Sequence, residues 1–377
     1  MNKVLLLPDS FKGSLTSGEV CRIMEEEILR AFPGCQVCSV PVADGGEGSV
    51  DCFLAALGGE RVETEVSGPC FEPLRAGYGL LEGGRTAVIE MAACAGLPLV
   101  GERKNPLRTT TYGVGQQMAH ALDRGVTRII LGLGGSATND GGAGAAAALG
   151  VRFLDASGRP FVPTGGTLAN ISKIDCSGLS ERLREVELVV MCDIDNPLCG
   201  PRGAAAVFGP QKGADPETVK RLDSGLAWFA QVISRDLGTD VLSLPGGGAA
   251  GGMGAGVAAL LGGRLTLGIQ AVLDTIGFEK LAQGADLILT GEGRLDSQSL
   301  GGKVIAGVAR RAKPLGVPVV AVVGGAESGL DELAPLGISA VFSICRGPQT
   351  LEKSMNEGAF YLRETMKNLM AFQKICR

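Results

Sequence analysis

The 377-residue chain contains a single histidine, His120, in a stretch with helical spacing where it reads as structural. One such imidazole argues against Ser-His-Asp hydrolysis, multi-histidine zinc sites and histidine phosphotransfer. Acid–base work is left to Asp, Glu or Lys. Aromatic residues make up only 4% of the chain, and no Lys/Arg block is present, so neither base stacking nor phosphate-backbone binding is supported and no nucleic-acid partner is expected. No apolar run reaches the roughly 18–20 residues of a membrane span. The apolar stretch at the start runs into Pro8-Asp9-Ser10 before it is long enough for a secretory core, so a cytoplasmic protein without a membrane partner is expected. The 11 cysteines are odd in number and scattered, and Cys35-x-x-Cys38 has no second pair, which favours reduced, buried thiols over a zinc or redox site.

Glycine, in contrast, is abundant. The 59 glycines far exceed the usual share of roughly 7%. They have no three-residue period, which excludes collagen, and cluster in loops where backbone turns tightly or lies against a ligand. Between the loops the chain reads as a folded α/β protein, 45% hydrophobic and 20% charged, with a net charge of −5. Residues 4–7 form a continuous apolar run of buried-strand type. Thr16 and Glu19 match a capping box ahead of Val20, Ile23, Met24 and Ile28 at helical spacing. A second strand at 36–42 leads to a helix carrying Val50, Phe53, Leu54 and Leu57.

From about residue 61 the pattern changes. Val62, Thr64 and Val66 alternate, and 74–81 and 85–91 flank Gly83-Gly84 as a β-hairpin. A helix at 112–122, a strand at 128–133, an alanine-rich helix ending at Leu149, a strand at 187–192 and a helix capped by Asp215-Pro216 follow. The glycine-rich stretch 245–256 reads as a helix packed closely on a neighbour. After about residue 267 the α/β alternation returns, with strands at 286–289, 317–323 and 339–344. The fold expected is α/β with two domains. A parallel-sheet, three-layer α/β domain of Rossmann or flavodoxin type is built from both chain ends (1–60 plus 268–377), a mixed α/β domain (61–267) is inserted in it, and the active site lies in the cleft between them.

Five loops share one design, in which a strand ends and glycines follow with acids, amides or lysines; in open α/β sheets ligands bind outside the carboxyl ends of strands. Lys12, in Pro8-Asp9-Ser10-Phe11-Lys12-Gly13-Ser14, sits just before a helix start and suits an anion. Asp44-Gly45-Gly46-Glu47-Gly48 offers Asp44 and Glu47 to a hydroxyl, a metal or a helix cap. The loop at 132–142 holds Gly134, Gly135, Ser136, Asn139 and Asp140 between a strand and a helix and reads as a phosphate cradle, though it lacks the Gly-Lys-Ser/Thr ending of a Walker A motif. Asp193 and Asp195, two apart at a strand end beside Asn196, suit Mg²⁺, or one of them a proton-accepting role; Lys212 follows in Phe208-Gly209-Pro210-Gln211-Lys212-Gly213. Glu292 and Asp296, with Lys303 beyond, form the fifth set, the acids for metal and the lysine for phosphate. Cradle, cation, metal site and orienting carboxylate are the parts of phosphoryl transfer.

These motifs, taken in order from Pro8-Asp9-Ser10 through Gly135-Ser136-Ala137-Thr138-Asn139-Asp140-Gly141-Gly142 and Asn196-Pro197-Leu198 to Thr290-Gly291-Glu292-Gly293, resemble the bacterial glycerate kinase family of the glycerate 2-kinase type, essentially end to end. The resemblance implies ATP-dependent, Mg²⁺-assisted phosphorylation of D-glycerate to 2-phosphoglycerate, by a monomer or homodimer whose partners are these small substrates. It also implies a two-domain α/β fold. On this reading Asp193 is general base or metal ligand, with Asp195 as its partner. Asp193, Asp195 and Asp296 are the metal candidates. Lys12, Lys212 and Lys303 neutralise the substrate carboxylate and nucleotide phosphates, and the loop carrying Gly134, Ser136 and Asn139 contacts phosphate or glycerate. Asp193-Ile194-Asp195 departs slightly from the family pattern before Asn196, which leaves the division of roles between the two aspartates open. A dehydrogenase is disfavoured because the glycine run lacks a spaced third glycine and a following ribose-binding acid. A kinase of another small hydroxy acid, or a glycerate-binding regulatory protein without activity, are the alternatives.

Overall fold

The structure is a computed structural model that describes residues 1–42, 45–46, 48–296, 303–327 and 330–375. The chain divides into two compact units. The first is made of Met1–Asp44, Asp51–Gly58 and Leu267–Arg377, and the second of Gly45–Val50 and Gly59–Thr266. Asp44 and Glu47 lie outside the described residues.

The first unit is built on five parallel strands in the order Ile338–Ser343, Val319–Val323, Leu287–Gly291, Lys3–Pro8, Gln36–Ser39. The apolar runs make this possible, because strands covered on both faces have no solvent side to mark with polar residues. Val4, Leu6, Leu287, Leu289, Val320 and Val322 join one core cluster with the helices Ser17–Ala31 and Gly358–Ile375. Leu5, Leu7 and Ile288, one residue out of phase, are equally buried outside that cluster, as the two-residue period of a strand requires. The helix Ser17–Ala31 starts as its sequence demands: Glu19 N–H donates to Thr16 Oγ1 at 3.2 Å, and Thr16 N–H donates to Glu19 Oε2 at 2.8 Å. The strand expected at 36–42 ends at Ser39, but Val40 and Val42 N–H still donate to the Leu6 and Pro8 carbonyls at 2.9 and 3.1 Å. In chain order the sheet runs 2-1-3-4-5, so the order reverses beside Lys3–Pro8, and the crevice outside its carboxyl end and that of Leu287–Gly291 is a topological switch point.

The second unit carries a six-stranded sheet in the order Arg264–Thr266, Glu187–Met191, Arg128–Gly132, Thr86–Glu90, Pro73–Leu81, Glu60–Ser67, parallel through the first four strands and antiparallel at the end. The hairpin pairs Leu81 with Thr86 around Glu82, Gly83 and Gly84, all at positive φ. Val62 and Val66 are buried while Glu63 and Glu65 face solvent, the alternation seen in the sequence. The glycine-rich stretch becomes the helix Ala249–Leu261, broken at residues 250–252 and packed so closely that a Cβ on Gly256 would lie 1.9 Å from the Gly141 carbonyl oxygen. A small antiparallel sheet, Pro160–Phe161, Arg152–Leu154 and Lys173–Asp175, is absent from the sequence reading, since strands of two or three residues carry no periodicity. His120 is structural: its Nδ1 lies 3.0 Å from the Tyr78 hydroxyl. The chain is thus a mixed α/β protein whose two large sheets are one parallel and one mixed. Among the described residues no helix is long and apolar enough to cross a membrane.

Candidate active site

In the first unit, a cavity of about 730 Å³ opens at the switch point, and Asp9, Lys12, Glu292, Asp296 and Lys303 line it. Glycine brings these loops together. A Cβ on Gly291 would stand 2.0 Å from the Val322 carbonyl oxygen, and one on Gly293 would stand 3.2 Å from Lys12 N. The rim is hydrogen-bonded beyond the main sheet: Gly324, Gly325 and Glu327 N–H donate to the carbonyls of Glu292, Gly293 and Leu295 at 3.1, 3.2 and 2.8 Å. On the opposite strand, residues 11–15 close into a turn with paired Phe11 and Leu15 backbone bonds and Gly13 at φ 76°. This turn leaves Lys12 exposed. Glu292 is buried, and Lys303 occupies the position before the helix Val304–Ala312, whose unpaired N–H groups add partial positive charge. Beyond the ion pair of Arg294 with Glu327, the cavity presents two lysines and a helix start beside the carboxylates of Asp9, Glu292 and Asp296, a set matched to an anion carried with a cation.

In the second unit the glycine loop after Arg128–Gly132 is held from below. Asp140 is fully buried and accepts from Thr111 N (2.7 Å), Thr111 Oγ1 (2.9 Å), Thr110 Oγ1 (3.3 Å), Gly142 N (3.2 Å) and Gly144 N (3.2 Å). Burial raises its carboxyl above the usual range, against these bonds. Lys212 is also buried, and its Nζ donates to Ser136 Oγ and the Thr138 carbonyl at 2.7 Å each. Burial pulls the Lys212 ammonium down to about 7, partly offset by Asp140. Asn139, likewise fully buried, has neither amide atom hydrogen-bonded among the described residues. Gly45 and Gly46 lie across the loop, where a Cβ on Gly134 would be 2.5 Å from Gly46 Cα. Gly134, Gly135, Ser136, Asn139, Asp140 and Lys212 thus form one assembly, in which Lys212 and Asp140 brace the loop.

The adjacent strand Glu187–Met191, paired in register with Arg128–Gly132, delivers Asp193, Asp195 and Asn196 beside that loop. The two aspartates differ in setting. Asp193 is half-buried, whereas Asp195 is exposed and paired with Arg202 at 3.1 Å. Asn196 Nδ2 donates to the Arg202 carbonyl at 2.8 Å. Among the described residues no group of three or more His, Cys, Asp or Glu is disposed to hold a metal ion. The carboxylates present still fit Mg²⁺, which takes one or two from protein and the rest of its oxygen shell from phosphates and water.

The glycerate kinase family model matches residues 4–374 of the chain. A glycerate kinase of Bacillus subtilis (strain 168) is 46% identical over 376 residues, covering 100% of this chain and 98% of that protein. The glycerate 2-kinase of Escherichia coli (strain K12) is 43% identical over 370 residues, covering 98% and 97%. The crystal structure of a candidate glycerate kinase 2 from Salmonella typhimurium LT2 superposes with a TM-score of 0.89 at 45% identity, over 99% of this chain and 98% of that one. The chain belongs to the glycerate kinase family. It is a phosphotransferase of mixed α/β fold.

For this kinase the sequence reading passed over two pairs of residues. Thr110 and Thr111 bind Asp140 from the segment before the helix Tyr112–Asp123, and the Thr109-Thr110-Thr111 run was the available signal. Gln349 and Tyr361, whose hydroxyl donates to Gln349 Oε1 at 2.9 Å, line the first unit's cavity from the C-terminal segment, where no glycine loop marks them.

Proposed function

We propose that the chain catalyses ATP-dependent phosphorylation of D-glycerate at its 2-hydroxyl, giving 2-phosphoglycerate and ADP, as a Mg²⁺-assisted cytoplasmic enzyme. The observation carrying this reading is that Lys12, Lys303, Glu292 and Asp296 converge on one cavity at the switch point of a parallel sheet, in a member of the glycerate kinase family. The substrate assignment draws on the E. coli relative, a glycerate 2-kinase.

The hydroxyl oxygen attacks the γ-phosphorus, the bond to the β–γ bridging oxygen breaks, ADP departs, and the hydroxyl proton passes to a carboxylate. With one histidine in the chain, that acceptor is an acid, and half-buried Asp193 suits the role better than Asp195, which Arg202 already engages. Lys12 and Lys303 neutralise phosphate charge, and the 132–142 loop holds the hydroxy acid or phosphate through Ser136 and Asn139, braced by Lys212. Mg²⁺, held with Asp193 or Asp296, would neutralise the phosphates further.

The test is incubation with ATP, Mg²⁺ and D-glycerate, followed by phosphorus NMR. The 2-phosphate resonance should grow with ADP. A 3-phosphate product would sink the regiochemistry, and absence of ADP would sink the kinase with this acceptor.

A further inference from the structure

The second unit holds a cavity of about 750 Å³ lined by Phe71, Arg103, Arg108 and Arg221 together with Cys70 and Gly166. Its volume is in the range of small-molecule sites. Its charge is unusual for this chain. The net charge is −5, and arginines elsewhere in the unit are regularly paired with acids, as Arg124, Arg128, Arg152, Arg182 and Arg264 are. Among the described residues, Arg103, Arg108 and Arg221 have no carboxylate in ion-pair range. Arg221 is steadied by donating to the Gly166 carbonyl at 3.2 Å. Glu72 stands at the cavity edge, accepting from Cys70 N at 2.8 Å, one carboxylate against three arginines. Burial and Glu72 push the Cys70 thiol up, and Arg103 and Arg108 pull it down, so both guanidinium groups act at the same mouth.

The walls are fixed. Gly166 N–H and Thr164 Oγ1 both donate to the Leu107 carbonyl, at 2.8 and 2.9 Å, and a Cβ on Gly166 would meet that oxygen at 2.8 Å. Phe71 holds a left-handed backbone, φ 65°, and is 45% exposed. A bulky residue adopts that conformation only under strain, and such strain concentrates at ligand sites. The turn is tied down by Gly68 N–H donating to Glu72 O and Thr110 N–H donating to Pro69 O, at 2.6 and 2.9 Å. Guanidinium forks recognise phosphate oxygens bidentately, and an exposed ring beside them favours an organic ester over the free ion.

We propose that this cavity is a binding site for a small organic phosphate, its phosphate held by Arg103, Arg108 and Arg221 and its apolar part against Phe71. Cys70 reports on it directly. The full-length protein is alkylated with iodoacetamide, and modification at Cys70 and at exposed Cys345 is followed by peptide mapping, with phenyl phosphate as the probe. Phenyl phosphate should slow Cys70 modification saturably and leave Cys345 unchanged. Arg221→Gln and Arg108→Gln, checked for folding by Trp228 fluorescence, should each need about tenfold more probe, the effect of losing one charge-assisted bond. No protection in the millimolar range, equal protection by sodium chloride at matched ionic strength, equal protection by inorganic phosphate, or unchanged protection in both variants would each overturn the proposal.

Discussion

Asp140→Ala should unfold the second unit early, although the residue sits in a loop with the motif of a ligand site. Its carboxylate takes three buried backbone N–H groups, those of Thr111, Gly142 and Gly144. The two threonine hydroxyls are rotors that can re-aim, and Thr110 Oγ1 already contacts the Pro163 carbonyl at 3.3 Å. The backbone donors cannot. Each stranded N–H costs about 1–3 kcal/mol. Relief of the carboxylate's own burial, evident in its raised pKa, offsets part of the sum. The net loss should be about 3–5 kcal/mol, or roughly 6–20 °C in melting temperature for a unit of this size. Asp140→Asn should fall between, since the amide keeps one acceptor but turns an NH₂ toward Gly142 N–H. The assay is urea unfolding followed by Trp228, the sole tryptophan, which sits on the helix Pro216–Leu237 and donates to the Ile171 carbonyl at 2.8 Å. It reports the second unit without assuming that the whole chain unfolds in one step. If Asp140→Ala stays within about 1 kcal/mol of the parent, the donors are satisfied some other way and the bracing role is wrong.

The other predictions concern Lys212, the aspartates and one glycine. Lys212 has a folded-state pKa of about 7, below its unfolded value near 10.4, so between those values the unfolded chain binds more protons and stability rises with pH. The stability difference between parent and Lys212→Met should therefore grow by about 2–3 kcal/mol from pH 7 to pH 9; parallel curves by Trp228 unfolding would refute the buried, weakly protonated lysine. Asp193→Asn should lower kcat by on the order of 10²–10³ with the fold intact, whereas Asp195→Asn, losing one exposed pair with Arg202, should change stability by less than about 1 kcal/mol and kcat far less; equal kcat losses in steady-state assays would mean the pair acts as a unit. Gly291→Ala should cost about 1–3 kcal/mol by thermal melting and raise the Michaelis constants, because its Cβ would push Val322 away and open the cavity rim; unchanged constants would remove that close approach from the site.

Whether a residue was legible in the sequence depended on whether its role is local. The helix Ser17–Ala31 and the Thr16–Glu19 cap that starts it are set by neighbours in sequence, and both were readable. The parallel order was readable in kind, because uninterrupted apolar strands with helices between them have few other solutions, but the switch point needed the pairing of Lys3–Pro8 with Leu287–Gly291 across nearly the whole chain. Loop chemistry was readable as a list of donors and acids. What each does depends on burial, and burial is set by distant partners. Lys212 reads as a phosphate ligand because it stands between glycines, yet its Nζ is spent on Ser136 and Thr138, 76 and 74 residues away. Asp193 and Asp195 look equivalent two residues apart, and burial and the Arg202 pair tell them apart only in the fold. Lys12 and Lys303 do come to one cavity, because Gly291 and Gly293 let those loops close on it. A glycine whose Cβ would strike another loop's backbone therefore says more about a site than the charged residue beside it, because it records a contact between distant segments in the identity of one residue.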